Sequence, residues 1–306
     1  MRKFAVLGMA VALAAGLSAC SSSSKSASDT TTPTTTATGT TVAGGGACGK
    51  APIPSEAASF KPIKAGTLSV VSSLPGPGFW EVPANAPTSP DAGYEYDIAK
   101  CMQQAFGLDK MSFRNVSFSA IEAGTVTNYD IILSQISITP ERSKVLTFST
   151  PYFESQQGVL MNTGATPITT VAAAKAANWG VQTGTTAIDL LNEIGAKNQH
   201  TYESLSDAYT ALEAKQVDAV LIDTAIQLGE AADSNGKFVV VSQFNQPKGP
   251  DEYGAALPKG SANITAVNAV FKSMKDSGEL KALTKKDLTV DPSTLKVIPI
   301  IKVPAP

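Results

Sequence analysis

The sequence predicts an α/β fold made of two lobes joined by two hinge-crossing strands. Short runs rich in β-branched residues alternate with helical patterns, as where Thr67–Ser72 is followed by the helical pattern of 96–106. Such alternation is typical of a mostly parallel sheet covered by helices on both faces. Two short extended runs, near residues 157 and 253, bracket a middle block of about ninety residues. We therefore expect the middle block to be a second lobe inserted into the first.

The first block predicts a strand, a loop and a helix, followed by further strands. Residues 67–72 (TLSVVS) favour a strand, and the LPGPG that follows is typical of an irregular loop. The helix spans 96–106, where four apolar side chains share one face and Gly107 follows. The remaining elements expected here are strands at 111–116 and 129–138 and a helix at 118–123.

The middle block and the chain after it continue the alternation, and their two extended runs set the lobe boundaries. Lobe 1 is expected to comprise 49–156 and, with the C-terminal tail, 253–306, while lobe 2 comprises 157–252. The elements expected are strands at 179–182, 218–222 and 237–242, helices at 185–194 and 204–216, extended runs at 157–161 and 253–257, and a long helix from 263 to about 284.

The first twenty residues are typical of an export signal that ends at an attachment site. Arg2 and Lys3 precede an apolar stretch at 4–17, which is shorter than the roughly 20 residues of a transmembrane helix. LSAC at 17–20 resembles the lipobox of bacterial lipoproteins, in which the cysteine is acylated. We expect removal of 1–19 and a diacylated Cys20 that holds the protein, through palmitate-like chains, on the outer face of the cell membrane. The alternative is a secreted protein with an incidental cysteine.

Residues 20–48 predict a lipid anchor followed by a disordered tether. The segment 21–46 consists almost entirely of Ser, Thr, Ala and Gly, and it has too little apolar surface to offset the entropy of ordering it. Cys48 and Cys101 are the cysteines that remain after the anchor. An exported chain folds in an oxidising compartment, so they form one disulfide or remain two unpaired thiols, and the sequence leaves both open.

Composition argues against nucleic acid binding and against common kinds of catalysis. The formal net charge is −2 and the sequence shows no basic face, so a nucleic acid partner is not expected. The single histidine, His200, lies in the polar segment AKNQHTYES and is expected in a surface loop. We find no metal-ligand spacing and expect no metal, no cofactor and no enzyme activity, although an acid catalyst built from a carboxylate stays as an alternative.

A series of motifs carries a family resemblance. The stretch YDIILSQISITPER at 129–142, with FS at 148–149 and PYF at 151–153, is similar to a hallmark of the family 3 extracellular solute-binding proteins, the polar amino-acid receptors of ABC importers related to glutamine-binding protein. The resemblance covers about 66–288 and implies a type II periplasmic-binding-protein fold, a free amino acid as ligand, ABC permease subunits as partners, and a monomer. Further matches are GYEYDIA at 93–99, VQTGTT at 181–186, DAVLID at 218–223 and YG at 253–254.

The resemblance implies a clamp for the main chain of an amino acid. Arg142 would offer its planar fork to the α-carboxylate, and Asp223 would take the ammonium group. Thr185 and Thr186 stand at a helix start that favours an anion. Each of these residues also has a purely structural interpretation. Arg142 could be an exposed residue of a helix, and Thr185 and Asp223 could each cap the helix that follows it. The remaining expected contacts are Ser137 to the carboxylate and the carbonyl of Gln135 to the ammonium group.

The contacts to the ligand side chain are less well matched. Phe118 aligns with the family's stacking position, and Gln182 is a long amide in the lobe 2 loop. Ser73 and Gly76 replace an acidic and an aromatic residue of the family pattern, and Trp80 either replaces the lost aromatic or covers the lobe. A neutral polar or aromatic amino acid is therefore favoured. The alternatives are a ligand-sensing domain that signals through a partner and a periplasmic dehydratase-like enzyme on the same fold.

Overall fold

The computed structural model describes residues 48–86, 88–288 and 298–303. The predicted signal peptide at 1–19, the lipidation site Cys20 and nearly all of the predicted tether at 20–48 lie outside the described residues. Nowhere in the described ranges does a helix reach the length and apolar character needed to cross a bilayer.

Strands and helices alternate through most of the described chain. The strands are β1 (Thr67–Ser72), β2 (Lys110–Asn115), β3 (Ile131–Ile132), β4 (Leu146–Phe148), β5 (Phe153–Ser155), β6 (Gln157–Asn162), β7 (Trp179–Gln182), β8 (Gln199–Tyr202), β9 (Ala219–Asp223), β10 (Phe238–Asn245), β11 (Asp251–Tyr253), β12 (Ala256–Pro258) and β13 (Ile300–Lys302). The α-helices are α1 (Tyr94–Ala105), α2 (Phe118–Glu122), α3 (Val171–Ala176), α4 (Thr186–Ile194), α5 (Leu205–Glu213), α6 (Thr224–Asp233), α7 (Ile264–Asp276) and α8 (Glu279–Asp287). Short 3-10 helices occur at Ser55–Ser59 and Arg142–Lys144.

Two mixed sheets form the centres of the two lobes. The first sheet has the order β2-β1-β3-β12-β4 and defines lobe 1, and the second has the order β13-β10-β6-β9-β7-β8 and defines lobe 2. Within them β1 runs parallel to β2 and β3, and β7 runs parallel to β8 and β9. Each sheet also contains antiparallel strands. In the second sheet, β6 starts at Gln157, which lies opposite Asp223 at the carboxyl end of β9. The carboxyl end of β9 therefore lies beside the point where the chain enters lobe 2.

The chain crosses between the sheets at two adjacent strands. β5 and β11 form an antiparallel pair in which Phe153 faces Tyr253, and β6 and β12 continue into lobe 2 and lobe 1 respectively. The rings of Phe153 and Tyr253 lie 5.4 Å apart and pack edge-on against Phe79 of lobe 1. This aromatic packing fixes the crossing strands on lobe 1. After α8 the chain also reaches lobe 2 again, where β13 pairs in parallel with β10.

Several elements differ from the sequence prediction. The strand predicted at 129–138 is limited to β3, because the backbone leaves the sheet and Gln135 adopts φ +46°. The helix predicted from 263 to about 284 is two helices, since Gly278 adopts φ +77° between α7 and α8. His200 lies exposed on the edge strand β8 and not in a surface loop. Strands β4, β5, β8 and β13 and helix α3 were missing from the prediction.

Cys48 and Cys101 are joined by a disulfide whose Cα atoms lie 4.4 Å apart. The bond links the first described residue to the buried face of α1, which belongs to lobe 1. The start of the described chain is thereby attached covalently to lobe 1.

Candidate ligand-binding site

A cavity lies between the two lobes, at the carboxyl end of β9. Its volume is about 20 Å³, which is enough for about one water molecule and too small for an amino acid. The lobes must therefore stand further apart to admit a larger ligand. Nine of the ten residues predicted from sequence line it, namely Ser73, Phe118, Gln135, Ser137, Arg142, Gln182, Thr185, Thr186 and Asp223, together with Pro75, Ser134, Leu205, Ile222 and Ile226.

Arg142 is buried at the lobe 1 side of this cavity, so the reading of an exposed helix residue was wrong. The Thr139 hydroxyl accepts a hydrogen bond from the Arg142 amide at 3.1 Å and fixes the short helix that carries it. The guanidinium group donates from Nη1 to the Ser137 carbonyl at 2.8 Å and, across the cleft, from Nη2 to the Gly184 carbonyl at 2.9 Å. It also lies 5.3 Å above the ring of Phe118.

The charge of Arg142 is partly compensated by surrounding carboxylates. Burial lowers the pKa of Arg142, and the negative charges of Asp251, Glu122, Asp223 and Asp189 act in the opposite direction. An arginine carries five N–H donors in a planar fork. The two bonds to backbone carbonyls use two of them, and a carboxylate can accept from the others.

Thr185 and Thr186 stand where α4 begins, at the lobe 2 side of the cavity. Thr185 is the residue before the helix, but its hydroxyl donates to the Gln182 carbonyl at 2.7 Å and does not cap the helix. The helix start combines backbone amides with the positive end of the helix dipole, and both favour an anion. Together with Arg142, this arrangement offers a carboxylate donors from both lobes.

Asp223 ends β9 and is buried, with 3% of its surface exposed. Its side chain does not cap α6, so the cap reading is not supported. The Gln157 amide lies 3.4 Å from Oδ1, and among the described residues Asp223 has no salt bridge. Burial and the charge of Asp251 raise the pKa of Asp223 well above its usual value, and the Tyr253 hydroxyl and Arg142 only partly oppose this. A cation bound beside Asp223 would stabilise its negative charge and lower its pKa again.

Gln135 reaches the cavity with a backbone conformation that Glu95 holds in place. Its amide donates to Glu95 Oε1 at 2.8 Å, and its side-chain amide donates to Oε2. Glu95 is fully buried, which raises its pKa, and it also accepts from the Tyr152 hydroxyl. A residue other than glycine rarely keeps a positive φ without such support. The Gln135 carbonyl, which the resemblance assigns to the ammonium group, belongs to this fixed segment.

Trp80 does not line the cavity, and of its two predicted roles the structure supports packing within lobe 1. Its indole nitrogen donates to Glu95 Oε2 at 2.6 Å and to the Leu133 carbonyl at 3.0 Å, and 2% of its surface is exposed. The space beside Gly76 is filled instead by Gln135, whose Oε1 lies 3.0 Å from where a Gly76 Cβ would stand. An aromatic side chain at 76 would therefore collide with Gln135.

Four apolar residues at the cavity were missed by sequence reasoning. Ile222 precedes Asp223, Ile226 lies in the first turn of α6, and Leu205 begins α5 just after β8. Pro75 faces them from the loop after β1. Ligands in α/β sheets bind beyond the carboxyl ends of the strands, and applying that rule to β8 and β9 would have found three of the four.

Comparison with known proteins agrees with this geometry. Residues 84–289 match the bacterial extracellular solute-binding proteins, family 3. The chain is 31% identical over 207 residues to the ABC transporter glutamine-binding protein GlnH of Bacillus subtilis (strain 168), covering 66% of this chain and 74% of the relative.

Solved structures are also similar. A mutant of ArgBP from T. maritima has a TM-score of 0.64 at 26% identity, covering 72% of this chain and 95% of that one. The ancestral amino acid-binding protein AncCDT-1, a precursor of cyclohexadienyl dehydratase, has a TM-score of 0.62 at 26% identity, covering 73% and 96%. The predicted two-lobed type II periplasmic-binding-protein fold is confirmed by these likenesses. The chain belongs to the bacterial extracellular solute-binding proteins, family 3.

Proposed function

We propose that this protein binds a free amino acid in the cavity between its lobes and delivers it to an ABC importer. The observation that carries the proposal is the pair of buried charges in one cavity, Arg142 from lobe 1 and Asp223 from lobe 2. A zwitterion taken out of water needs a partner for each charge, because a buried unpaired ion is costly. The pair supplies one partner for the carboxylate and one for the ammonium group.

The remaining polar groups extend these two contacts. The start of α4 at Thr185 and Thr186 and the hydroxyl of Ser137 would join Arg142 on the carboxylate. The carbonyl of Gln135 would join Asp223 on the ammonium group. Because these groups come from both lobes, only a closed form makes every contact, and the ligand would favour closure.

The same family assignment supports a location outside the cytoplasm. We infer that residues 1–19 are removed, that acylated Cys20 anchors the chain to the outer face of the membrane, and that 20–48 is a tether. The protein would act as a monomer with lobe 1 at 49–156 and from 253 to the end of α8. Lobe 2 would comprise 157–252 and β13, which the sequence-based boundaries had placed with lobe 1. ABC permease subunits would be its partners.

Binding without catalysis is the function that the cavity supports best. Asp223 is the one carboxyl group among the described cavity residues, and an ammonium group bound there would occupy the acid that a dehydratase-like reaction requires. A sensing role through another partner would use the same cavity, and neighbouring permease and ATPase genes would distinguish transport from sensing.

The proposal predicts that Arg142→Ala abolishes amino acid binding and that Arg142→Lys restores little of it. Lysine lacks the planar fork that donates a hydrogen bond to each of the two carboxylate oxygens. The measurement is a thermal-shift screen of the twenty common amino acids followed by calorimetry, since a ligand at 100 times its Kd stabilises by about 2.7 kcal/mol. Arg114→Ala is the matched control, because Arg114 is an exposed arginine of the same lobe that bonds the Thr127 carbonyl. Unchanged affinity in the Arg142→Ala variant would remove the basis of the proposal.

A further inference from the structure

We propose that the side chain of the bound amino acid is apolar and aliphatic, and that four residues select it. These residues, called the apolar wall here, are Pro75, Leu205, Ile222 and Ile226. The proposal rests on the proposed function and names the substrate class of the same cavity. It keeps the expectation of a neutral side chain but replaces the sequence-based choice of a polar or aromatic one with an aliphatic one.

The cavity has a polar side and an apolar side, because lobe 2 carries different helices on the two faces of its sheet. Leu205, Ile222 and Ile226 belong to the large apolar cluster that includes α5 and α6 residues. The apolar residues of α4, in contrast, belong to a separate cluster that includes Val159 and Trp179. The anion-binding start of α4 and the apolar wall therefore approach the cavity from opposite faces of one sheet.

The charged groups at the cavity would pair with the carboxylate and ammonium groups of the ligand main chain, and none in the described part of the chain is left for its side chain. Among the described cavity residues, the charged ones are Arg142 and Asp223. Glu122, Asp189 and Asp251 act on Arg142 electrostatically, but they do not line the cavity. A cationic or anionic side chain would consequently be buried without a counter-charge, which is strongly unfavourable.

Three polar side chains near the apolar wall already make a hydrogen bond within the protein. The Ser134 hydroxyl accepts from the Ser73 amide at 3.0 Å, and the Gln182 side-chain amide donates to the Glu203 carbonyl at 3.3 Å. The Gln135 side-chain amide donates to Glu95. These bonds leave fewer donors available to an amide side chain, and they reduce what a polar side chain gains from binding here. An aliphatic side chain needs no such partner.

The expected selectivity follows from the value of a buried methylene. At about 0.8 kcal/mol each, one methylene changes affinity about fourfold. Leucine, isoleucine, valine or methionine should bind at least about tenfold more tightly than alanine, which lacks two or more of these carbons. Glutamine should be weaker than methionine, which has a similar length, and arginine, lysine and glutamate should be weaker again.

The test is calorimetry of the full-length protein with these amino acids, alongside two variants of one wall residue. Ile226→Val removes one methylene and should weaken leucine binding about fourfold while leaving alanine unchanged. Ile226→Asp adds a counter-charge and should improve lysine or arginine relative to leucine. The wild-type series decides the question even where a variant fails to fold.

The outcomes separate this proposal from the one on which it rests. Preference for aliphatic amino acids supports both. Tight binding of glutamine, arginine, lysine or glutamate with weak binding of leucine overturns the apolar wall and leaves the amino acid function standing. If none of the twenty amino acids binds, the proposed function fails, and the substrate class fails with it.

Discussion

Asp223 lowers the stability of the ligand-free folded protein at neutral pH, and this buried group is the one that would bind the ligand's ammonium group. Its carboxyl group is buried, and its pKa in the folded state is raised well above the ordinary value of 3.8. The folded protein therefore holds the proton more tightly than the unfolded chain does. Its contribution to stability is fully present below pH 3.8 and is lost as the pH rises through the folded-state pKa. At neutral pH the ligand-free protein keeps an unfavourable buried group.

Asp223→Asn is therefore expected to have opposite effects on binding and on stability. Amino acid affinity should fall by about 2 kcal/mol or more, because one partner of a buried charge pair is removed. The Tm of the ligand-free protein should rise at pH 7, and the gain should shrink as the pH falls towards 4.

Calorimetry and thermal unfolding at several pH values measure the two effects. Asp233→Asn, an exposed aspartate of α6, is the control and should change neither. Unaltered affinity in the Asp223 variant would mean that the ammonium group is held elsewhere.

Helix α6 meets lobe 1 at a glycine. A Cβ built at Gly229 would stand 2.8 Å from the Pro77 Cβ and 2.9 Å from the Pro77 carbonyl oxygen, closer than side chains approach in proteins. Gly229 lies within α6, where alanine is a better helix former than glycine by about 1 kcal/mol. Only the approach of the lobes requires a glycine at this position.

Gly229→Ala should therefore hold the lobes apart without harming the helix. We expect amino acid affinity to fall by about tenfold or more, since roughly 1.4 kcal/mol of lost closure is a factor of ten. Thermal unfolding without ligand should be unchanged or slightly improved. Ala232→Gly, at an exposed position of the same helix, is the matched control and should lower stability while leaving affinity intact. Normal affinity in the Gly229 variant would show that the two lobes do not need this contact.

In the part of the chain that the structure describes, the two lobes lie in a closed arrangement. Arg142 bonds Gly184 across the cleft, the Ser119 hydroxyl donates to Glu203 at 2.9 Å, and Pro77 packs against Gly229. A cavity of about 20 Å³ has no room for an amino acid, so binding requires the lobes to move apart before they close on the ligand.

Small-angle scattering should consequently record a smaller radius of gyration at saturating ligand than without it. The clamp is divided between the lobes, so the ligand binds the closed form more tightly and shifts the population towards it. The Arg142→Ala variant serves as the control and should show no compaction with the same amino acid. An unchanged radius of gyration in the wild-type protein at saturation would contradict closure.

The positions of Arg142, Thr185 and Asp223 at the cavity could be predicted from sequence, and the positions of the apolar wall could not. Arg142, Thr185 and Asp223 lie in continuous motifs at the ends of strands, so local pattern was sufficient to find them. Leu205 and Ile226 look like ordinary core residues at the starts of helices, and only the packing of α5 and α6 brings them to the cavity.

The role of Trp80 and the side-chain position of Gln135 could not be predicted for a related reason. The position of the indole depends on Glu95, which lies fifteen residues away in sequence, and the unusual φ of Gln135 depends on the same carboxylate. A motif shows which residues are present, but not which one occupies the space beside Gly76. The length of β3 was overestimated because the apolar run at 129–138 continues after the backbone has left the sheet.

The disulfide between Cys48 and Cys101 sets the path of mechanical load. A pull on the chain before Cys48 enters the folded body at α1, because the disulfide joins Cys48 directly to that helix and bypasses the segment that runs from residue 49 to β1. The segment between them, with its 3-10 helix at Ser55–Ser59, then carries little tension. Lobe 2 lies outside this load path, since it joins lobe 1 through the crossing strands and the chain after α8. If residues 20–48 tether the chain as we propose, tension on the tether would therefore act on lobe 1 and reach lobe 2 only through the contacts between the lobes.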